Sequence, residues 1–163
     1  MTIPFRGRTS RSTYFITSST FEKRALLQKQ QYAELLLEVI SENRAKGRFL
    51  LHAYVIMPDH IHLLITPGQN ILLERAVQFI KGGFSFRMKK ELGYSWDVWQ
   101  TSFYDRRVRD WEEFQRLRQY IHLNPVRRHL VPTAEEYSFS SAKPCIPLDE
   151  VPQRLNPLEL PVA

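Results

Sequence analysis

Hydrophobic and polar residues alternate with two different periods along the chain, and the changes of period separate strands from helices. β-branched and aromatic residues at 13–17 predict a first strand. A stripe with helical spacing follows, from Leu26 to Ile40. Ser19 and Glu22 fit a capping box, so the pattern predicts that this helix begins at Ser19.

A β-hairpin is the clearest prediction of the pattern. Two apolar segments, 49–57 and 60–65, flank Pro58 and Asp59. Proline fixes φ and aspartate bonds nearby backbone amides, so the pair favours a tight turn. We therefore expect the second strand of the hairpin to begin at His60.

The second half of the chain repeats the order of helix, strand and helix. A helical stripe begins near Asn70, and aromatic residues and arginines at 103–109 predict a fourth strand. Asp110 suits the N-cap of a third helix. Pro125 disfavours helical geometry at the residue before it, so this helix is predicted to end or kink there.

The predicted order β-α-β-β-α-β, with a helix added after it, defines the fold class. This order is typical of an α+β fold with a ferredoxin-like antiparallel sheet, in which the histidine strand is central. The prediction comprises a basic N-terminal arm (1–12), one domain (13–142) and a Pro-rich tail (143–163). The added helix at the C-terminal end of the domain carries Tyr120.

Composition narrows the function. Lysine and arginine outnumber aspartate and glutamate by 23 to 17, which gives a net charge of +6 and favours polyanionic partners, nucleic acid first. No apolar run approaches the roughly 20 residues that span a membrane, and a cytoplasmic location is expected. A single cysteine excludes an internal disulfide framework.

The segment His60-Ile61-His62 is the main candidate for chemistry. Strand residues two apart point to the same face, roughly 6–7 Å apart at Cα. The two imidazoles of His60 and His62 have the spacing to bind one divalent ion. Two half-buried structural histidines explain the same pattern.

Tyr120 is the candidate that the third helix adds. At about 100° per residue it lies at the edge of the apolar stripe formed by Phe114, Leu117 and Ile121. Asn124 follows four residues later, on the same face. We expect this helix to bring Tyr120 over the sheet face that carries the histidines.

Basic residues cluster in several segments, each of which has two interpretations. Residues 1–12 are either an arm that folds onto a phosphate backbone or a solubilising terminus. The second helix is either a DNA contact or a solvated face. Arginines interleaved with aromatic residues at 103–109 suit single-stranded nucleic acid, although core packing also explains them. The candidate DNA-binding residues are Arg6, Arg8, Arg11, Lys81, Arg87, Arg106, Arg107, Arg127 and Arg128.

Four segments in this order resemble the REP-associated tyrosine transposases, within the single-strand HUH transposases that carry one catalytic tyrosine. The segments are His52 to Leu64, Trp99-Gln100 before Phe103-Tyr104-Asp105, Tyr120 to Arg127, and Tyr137 before Ser140-Ser141. The resemblance covers roughly residues 14–142. One such segment would be weak evidence, whereas the ordered set is highly specific.

The resemblance implies a role for each matching residue. His60 and His62 match the metal-binding His-hydrophobic-His motif, Tyr120 matches the nucleophile, and Asn124 matches a third metal ligand. The implied activity is an HUH endonuclease reaction of DNA transposition and recombination. Single-stranded DNA is cut and rejoined through a 5′-phosphotyrosine link, with Mg²⁺ or Mn²⁺ as cofactor.

The resemblance also implies a partner, single-stranded or hairpin DNA. A monomer is favoured, with a dimer as the alternative. The competing hypothesis is a domesticated protein that binds DNA hairpins and no longer cuts them. The presence of His60, His62, Tyr120 and Asn124 together favours retained catalysis.

Overall fold

The computed structural model describes residues 12–155, which form a four-stranded sheet with helices on both faces. The strands and α-helices are β1 (Tyr14–Ser19), α1 (Gln30–Ala45), β2 (Phe49–Ile56), β3 (His60–Pro67), α2 (Leu73–Leu92), β4 (Tyr104–Arg107) and α3 (Trp111–Arg127). The strands are antiparallel in the order β2-β3-β1-β4. This confirms the ferredoxin-like prediction, including the central position of β3.

Alternation along the central strands divides the core into two layers. Ile61 and Leu63 lie in the larger cluster, with the apolar residues of α1 and α2. Phe15 and Leu64 point to the other face and form the smaller cluster with Phe114 and other residues of α3. His60 and His62 have the same parity in β3 as Leu64, so they lie on the α3 face.

The first helix begins later than predicted. Helix α1 begins at Gln30 and is preceded by two 3₁₀ turns. The hydroxyl of Thr20 donates to the carbonyls of Arg24 and Asp59, which ties this segment to the hairpin turn. Glu22 and Lys23 have φ values of 54° and 52°, in the left-handed region, and so cannot start a right-handed helix. The capping box predicted at Ser19 is therefore wrong.

The predicted end of this helix at Pro125 is also wrong, because α3 continues to Arg127 with Pro125 inside it. Proline removes one amide donor, the one that would bond the carbonyl four residues earlier. Here this loss falls in the last turn of the helix, where few backbone bonds remain to be disturbed. Asn124 consequently stays helical and one turn beyond Tyr120.

The segment after α3 packs along the outer edge of β2. Backbone bonds join Ile56 to Phe139, Tyr54 to Ser141 and Leu51 to Asp149. Such cover satisfies donors and acceptors that an edge strand would otherwise expose. Among residues 12–155, no helix combines the length and the apolar character needed to cross a bilayer.

Glu113 joins the beginning of α3 to the end of the sheet. Asp110 caps the helix by accepting from the Glu113 amide, as the sequence predicts. The Glu113 carboxylate is 2% exposed and accepts from the guanidinium groups of Arg106 and Arg109, each at 3.0 Å. Burial raises the pKa of Glu113, but these hydrogen bonds outweigh burial and the pKa lies below its usual value.

Glu113→Gln is expected to lower the free energy of unfolding at pH 7 by about 1–3 kcal/mol, because it removes charged hydrogen bonds. A carboxyl whose pKa is depressed in the folded state contributes stability above its unfolded pKa and loses that contribution as pH falls. The difference between wild type and variant should therefore shrink below about pH 4. Urea unfolding at several pH values measures it. The neighbouring exposed Glu112→Gln is the control, and an equal effect in both variants would contradict the assignment.

Candidate active site

A cleft of about 430 Å³ lies between the sheet and α3. Its floor comes from alternate residues of β1 and β3, and its sides come from β4, α3 and the turn before α1. The lining residues are Phe15, Thr17, Ser19, Lys23, Asp59, His60, His62, Tyr104, Arg106, Leu117, Tyr120 and Arg128. The cleft thus brings together both predicted histidines and the predicted tyrosine.

The two histidines are held in fixed orientations by their Nδ1 atoms. The Nδ1 atom of His60 is 2.6 Å from a carboxylate oxygen of Asp59. A hydrogen bond of 2.8 Å joins the Nδ1 atom of His62 to the hydroxyl of Thr17. The ring centroids are 4.7 Å apart. Both rings line the cleft. With the two Nδ1 atoms engaged, the Nε2 atoms are the ring nitrogens that would bind a ligand there.

His62 is held in its neutral form. Burial, followed by the nearby His60 and the positive charge of Arg128, lowers the pKa of His62 to about 3. Its ring also stacks on the apolar ring of Phe15, with the two centroids 5.3 Å apart. A neutral imidazole keeps a lone pair, which metal coordination requires.

Tyr120 lies at the boundary between core and solvent, as its helical position predicts. It is 38% exposed. Its ring meets His62 edge to face at a centroid distance of 5.4 Å and meets Phe15 in the same way at 6.0 Å. The guanidinium of Arg127 lies 4.9 Å from the ring centroid. These contacts fix the ring beside the histidines and leave part of it open to a ligand in the cleft.

Asn124 does not line the cleft in this structure. It is 5% exposed, and its side-chain oxygen Oδ1 is buried without a hydrogen-bond partner. Phe114 packs against His52 in the middle of β2, while Tyr120 packs against His62 of β3. Helix α3 therefore runs toward the start of β3, and Asn124 follows Tyr120 by about one turn, roughly 6 Å along the helix axis.

The donor set fits a divalent ion with open coordination positions. Among the described residues, no group of three or more His, Cys, Asp or Glu side chains is arranged to hold a metal. A site at the His60–His62 pair would therefore need other oxygen ligands. The Oδ1 atom of Asn124 is an oxygen acceptor of the required type, buried without a hydrogen-bond donor, but Asn124 does not line the cleft in this structure. Two imidazoles and one amide oxygen leave positions for phosphate oxygens.

The predicted basic residues lie in four different places, of which Lys81 and Arg87 occupy the last. Arg106 and Arg128 line the cleft, and Arg127 covers Tyr120. Arg107 pairs in register with Tyr14, so it lies on the opposite face of the sheet. The predicted basic arm, with Arg6, Arg8 and Arg11, lies outside the described residues.

Lys81 and Arg87 stabilise the fold away from the cleft. Lys81 is 9% exposed, and its ammonium donates to the carbonyls of Gln100 and Ser102. Arg87 forms ion pairs with Glu38, Glu42 and Glu91 on α1 and α2. Since neither residue lines the cleft, the DNA surface proposed below does not include them.

Lys23 and Tyr104 are among the cleft residues that sequence reasoning did not assign to the site. Lys23 reaches the cleft because the left-handed turn redirects the chain, and no short-range pattern predicts that turn. Tyr104 begins the short strand β4 and, because alternate residues of a strand share a face, points to the same side as Arg106. The available signal was its position two residues before Arg106 in a predicted strand.

Comparisons with known proteins identify the family of this chain. The family model described as "Transposase IS200 like" matches residues 8–124. A REP-associated tyrosine transposase from Escherichia coli (strain K12) is 25% identical over 135 residues, which cover 79% of this chain and 75% of that protein. A solved structure of a REP-associated tyrosine transposase bound to a REP hairpin has a TM-score of 0.70 and 24% identity, and covers 93% of this chain and 92% of that chain. Because the family model matches most of the chain, this protein belongs to the IS200-like transposase family.

Proposed function

We propose that this protein cleaves and rejoins single-stranded DNA through a covalent link between Tyr120 and a 5′-phosphate. The observation that carries the proposal is the position of Tyr120. Its ring centroid lies 5.4 Å from that of His62, in a cleft that His60 also lines. A nucleophile must lie beside the group that activates its target. Tyr120 lines the same cleft as His60 and His62, the two residues that would hold the activating group, which supports the proposal.

Cleavage at this site is a transesterification, in which the phosphate passes from a 3′ oxygen of DNA to the Tyr120 oxygen. The Tyr120 oxygen forms a bond to phosphorus and gives up its proton to solvent, and the bond from phosphorus to the 3′ oxygen breaks. The departing oxygen takes up a proton and becomes a 3′-hydroxyl. Because the phosphotyrosine conserves the bond, a 3′-hydroxyl can later attack it, re-form the phosphodiester and release Tyr120.

His60, His62 and Asn124 would hold the divalent ion. When bound, it polarises the scissile phosphate and neutralises developing negative charge. Asp59 and Thr17 fix the two rings through their Nδ1 atoms, so that both Nε2 atoms stay presented to the cleft. Such outer partners normally orient metal-binding histidines.

The proposed substrate is a DNA hairpin with a single-stranded segment. Lys23, Arg106 and Arg128 supply positive charge around the cleft, where a DNA backbone would lie. One fold neighbour is a transposase bound to a REP hairpin, which supports hairpin DNA as the substrate class. The protein is proposed to act as a monomer, as the sequence analysis favours.

A cleavage assay tests the function. Purified protein is incubated with end-labelled oligonucleotides that carry a hairpin and single-stranded flanks, with Mg²⁺, with Mn²⁺ or with a chelator. We expect a denaturation-resistant protein–DNA adduct and a free 3′-hydroxyl product only with a metal, because the phosphate needs charge neutralisation. Blunt duplex of the same sequence is the control. Binding to the hairpin without any adduct, across metals and flank sequences, would favour the binding-only alternative.

A further inference from the structure

We propose that Tyr104 is a base-stacking residue, which receives the base of a nucleotide next to the scissile phosphate. The inference rests on the function proposed above and adds a binding position outside the tyrosine and histidine set. It concerns one exposed aromatic side chain whose neighbours, exposure and register all point to an unpaired base.

Strand register sets Tyr104 beside the histidines. Thr17 of β1 pairs with Tyr104 of β4 on one side and with His62 of β3 on the other. Residues directly opposite each other in a sheet share a face. Tyr104, Thr17 and His62 therefore form one row across the floor of the cleft. Two strand spacings separate the ends of this row, about 10 Å between backbones.

Tyr104 is far more exposed to solvent than the aromatic residue it packs against. Its side chain is 56% exposed, whereas Phe15 beside it is 6% exposed. The rings of Tyr104 and Phe15 meet edge to face, with centroids 6.4 Å apart. An edge contact of this kind fixes the tilt of the Tyr104 ring without covering it. The ring is therefore supported from below and remains open to a planar ligand.

The charges around Tyr104 suit a nucleotide. Arg106 follows Tyr104 by two residues on the same face of β4, lines the same cleft, and binds the buried carboxylate of Glu113, 3.0 Å away. This ion pair links the strand that carries Tyr104 to the first turn of α3. A positive charge beside an open aromatic ring matches the two halves of a nucleotide, because the ring stacks on the base and the cation attracts the phosphate.

The separation between ring and histidines matches the reach of one nucleotide. A phosphate at the His60–His62 pair lies at one end of the row, and Tyr104 lies at the other. Within a single strand, a base extends sideways from its own phosphate and is free to turn away from its neighbours. A base attached beside the scissile phosphate therefore meets Tyr104, whereas a paired base in duplex DNA is kept from it by its own stack.

A binding experiment tests this without cleavage. In protein that carries Tyr120→Phe, with a chelator present, affinity for a labelled hairpin with single-stranded flanks is measured by fluorescence anisotropy. Tyr104→Ala, Tyr104→Phe and Tyr104→Trp are compared on that background. Trp96→Ala is the matched control, since Trp96 is an aromatic residue, 72% exposed, that does not line the cleft. Oligonucleotides with one abasic position, moved through the single-stranded segment, complete the set.

We expect Tyr104→Ala to weaken binding about 5- to 100-fold, the range typical of one stacked base. Tyr104→Phe and Tyr104→Trp should retain affinity, because each keeps a planar ring. One abasic position should weaken binding to the Tyr104 protein and have little further effect on the Ala variant. Circular dichroism of each variant checks that it folds.

Two results would overturn the inference. Equal losses for Tyr104→Ala and Trp96→Ala would assign the effect to general surface change. Additive losses at every abasic position would show that no base stacks on Tyr104. Either result leaves the cleavage assay unaffected, so a failure of this inference is distinguishable from a failure of the proposed function.

Discussion

Tyr120→Phe is expected to abolish the covalent protein–DNA adduct and to slow cleavage by at least about 10³-fold, since the nucleophilic oxygen is lost. Phenylalanine keeps the ring that meets His62 and Phe15 and that Arg127 covers. The variant should therefore fold normally and bind a DNA hairpin within about twofold of wild type. Single-turnover cleavage of a labelled hairpin, followed by denaturing electrophoresis, measures the effect.

Tyr94→Phe provides the matched control for the loss of a hydroxyl. Tyr94 packs against Tyr32, and neither residue lines the cleft. We expect its adduct yield to equal that of wild type. An adduct that persists in Tyr120→Phe would show that another residue attacks the phosphate, and the proposed role of Tyr120 would then be wrong.

His60→Ala and His62→Ala are expected to reduce metal-dependent cleavage by at least about 100-fold each, because each removes one of the nitrogen ligands proposed for the ion. Hairpin binding in the presence of a chelator should change little, since no phosphate-binding charge is removed. Cleavage rates across a Mn²⁺ titration measure the loss. His62→Gln preserves most of the side-chain volume and separates loss of a ligand from loss of packing.

His129→Asn is the control for the histidine variants. His129 has a φ of 58°, which asparagine tolerates, and it does not line the cleft. Its cleavage rate and metal dependence should match those of wild type. If His60→Ala and His62→Ala cut as fast as this control, the two histidines have only a structural role, which was the alternative interpretation of the His-x-His pattern.

Short-range patterns predicted the elements that build the site. The turn at Pro58 and Asp59 fixes the register of the hairpin, and register decides which face of the sheet carries His60 and His62. The Asp110 cap fixes where α3 begins, which places Tyr120 at the edge of its apolar stripe. Both predictions depend on neighbours within a few residues, which is why the sequence carried them.

The features that sequence reasoning got wrong or missed depend on contacts between segments that are far apart in the chain. The charge of Lys81 suggests an exposed position on α2. The residue is nevertheless buried, and its ammonium donates hydrogen bonds to two carbonyls of the loop after α2. The Ser19 capping box failed because Thr20 bonds Asp59, 39 residues away. The family resemblance added roles for Tyr120 and Asn124 that spacing alone does not supply. No local pattern predicts that the amide oxygen of Asn124 is left unpaired.

The identity of the residue joined to DNA tests the central claim most directly. The adduct formed by wild-type protein is digested with nuclease and protease, and the peptide that carries a nucleotide is sequenced by tandem mass spectrometry. The account predicts a phosphodiester link to the tyrosine of the peptide that contains Tyr120, Ile121 and His122. A nucleotide attached to any other residue, such as Tyr104 in the same cleft, would contradict it.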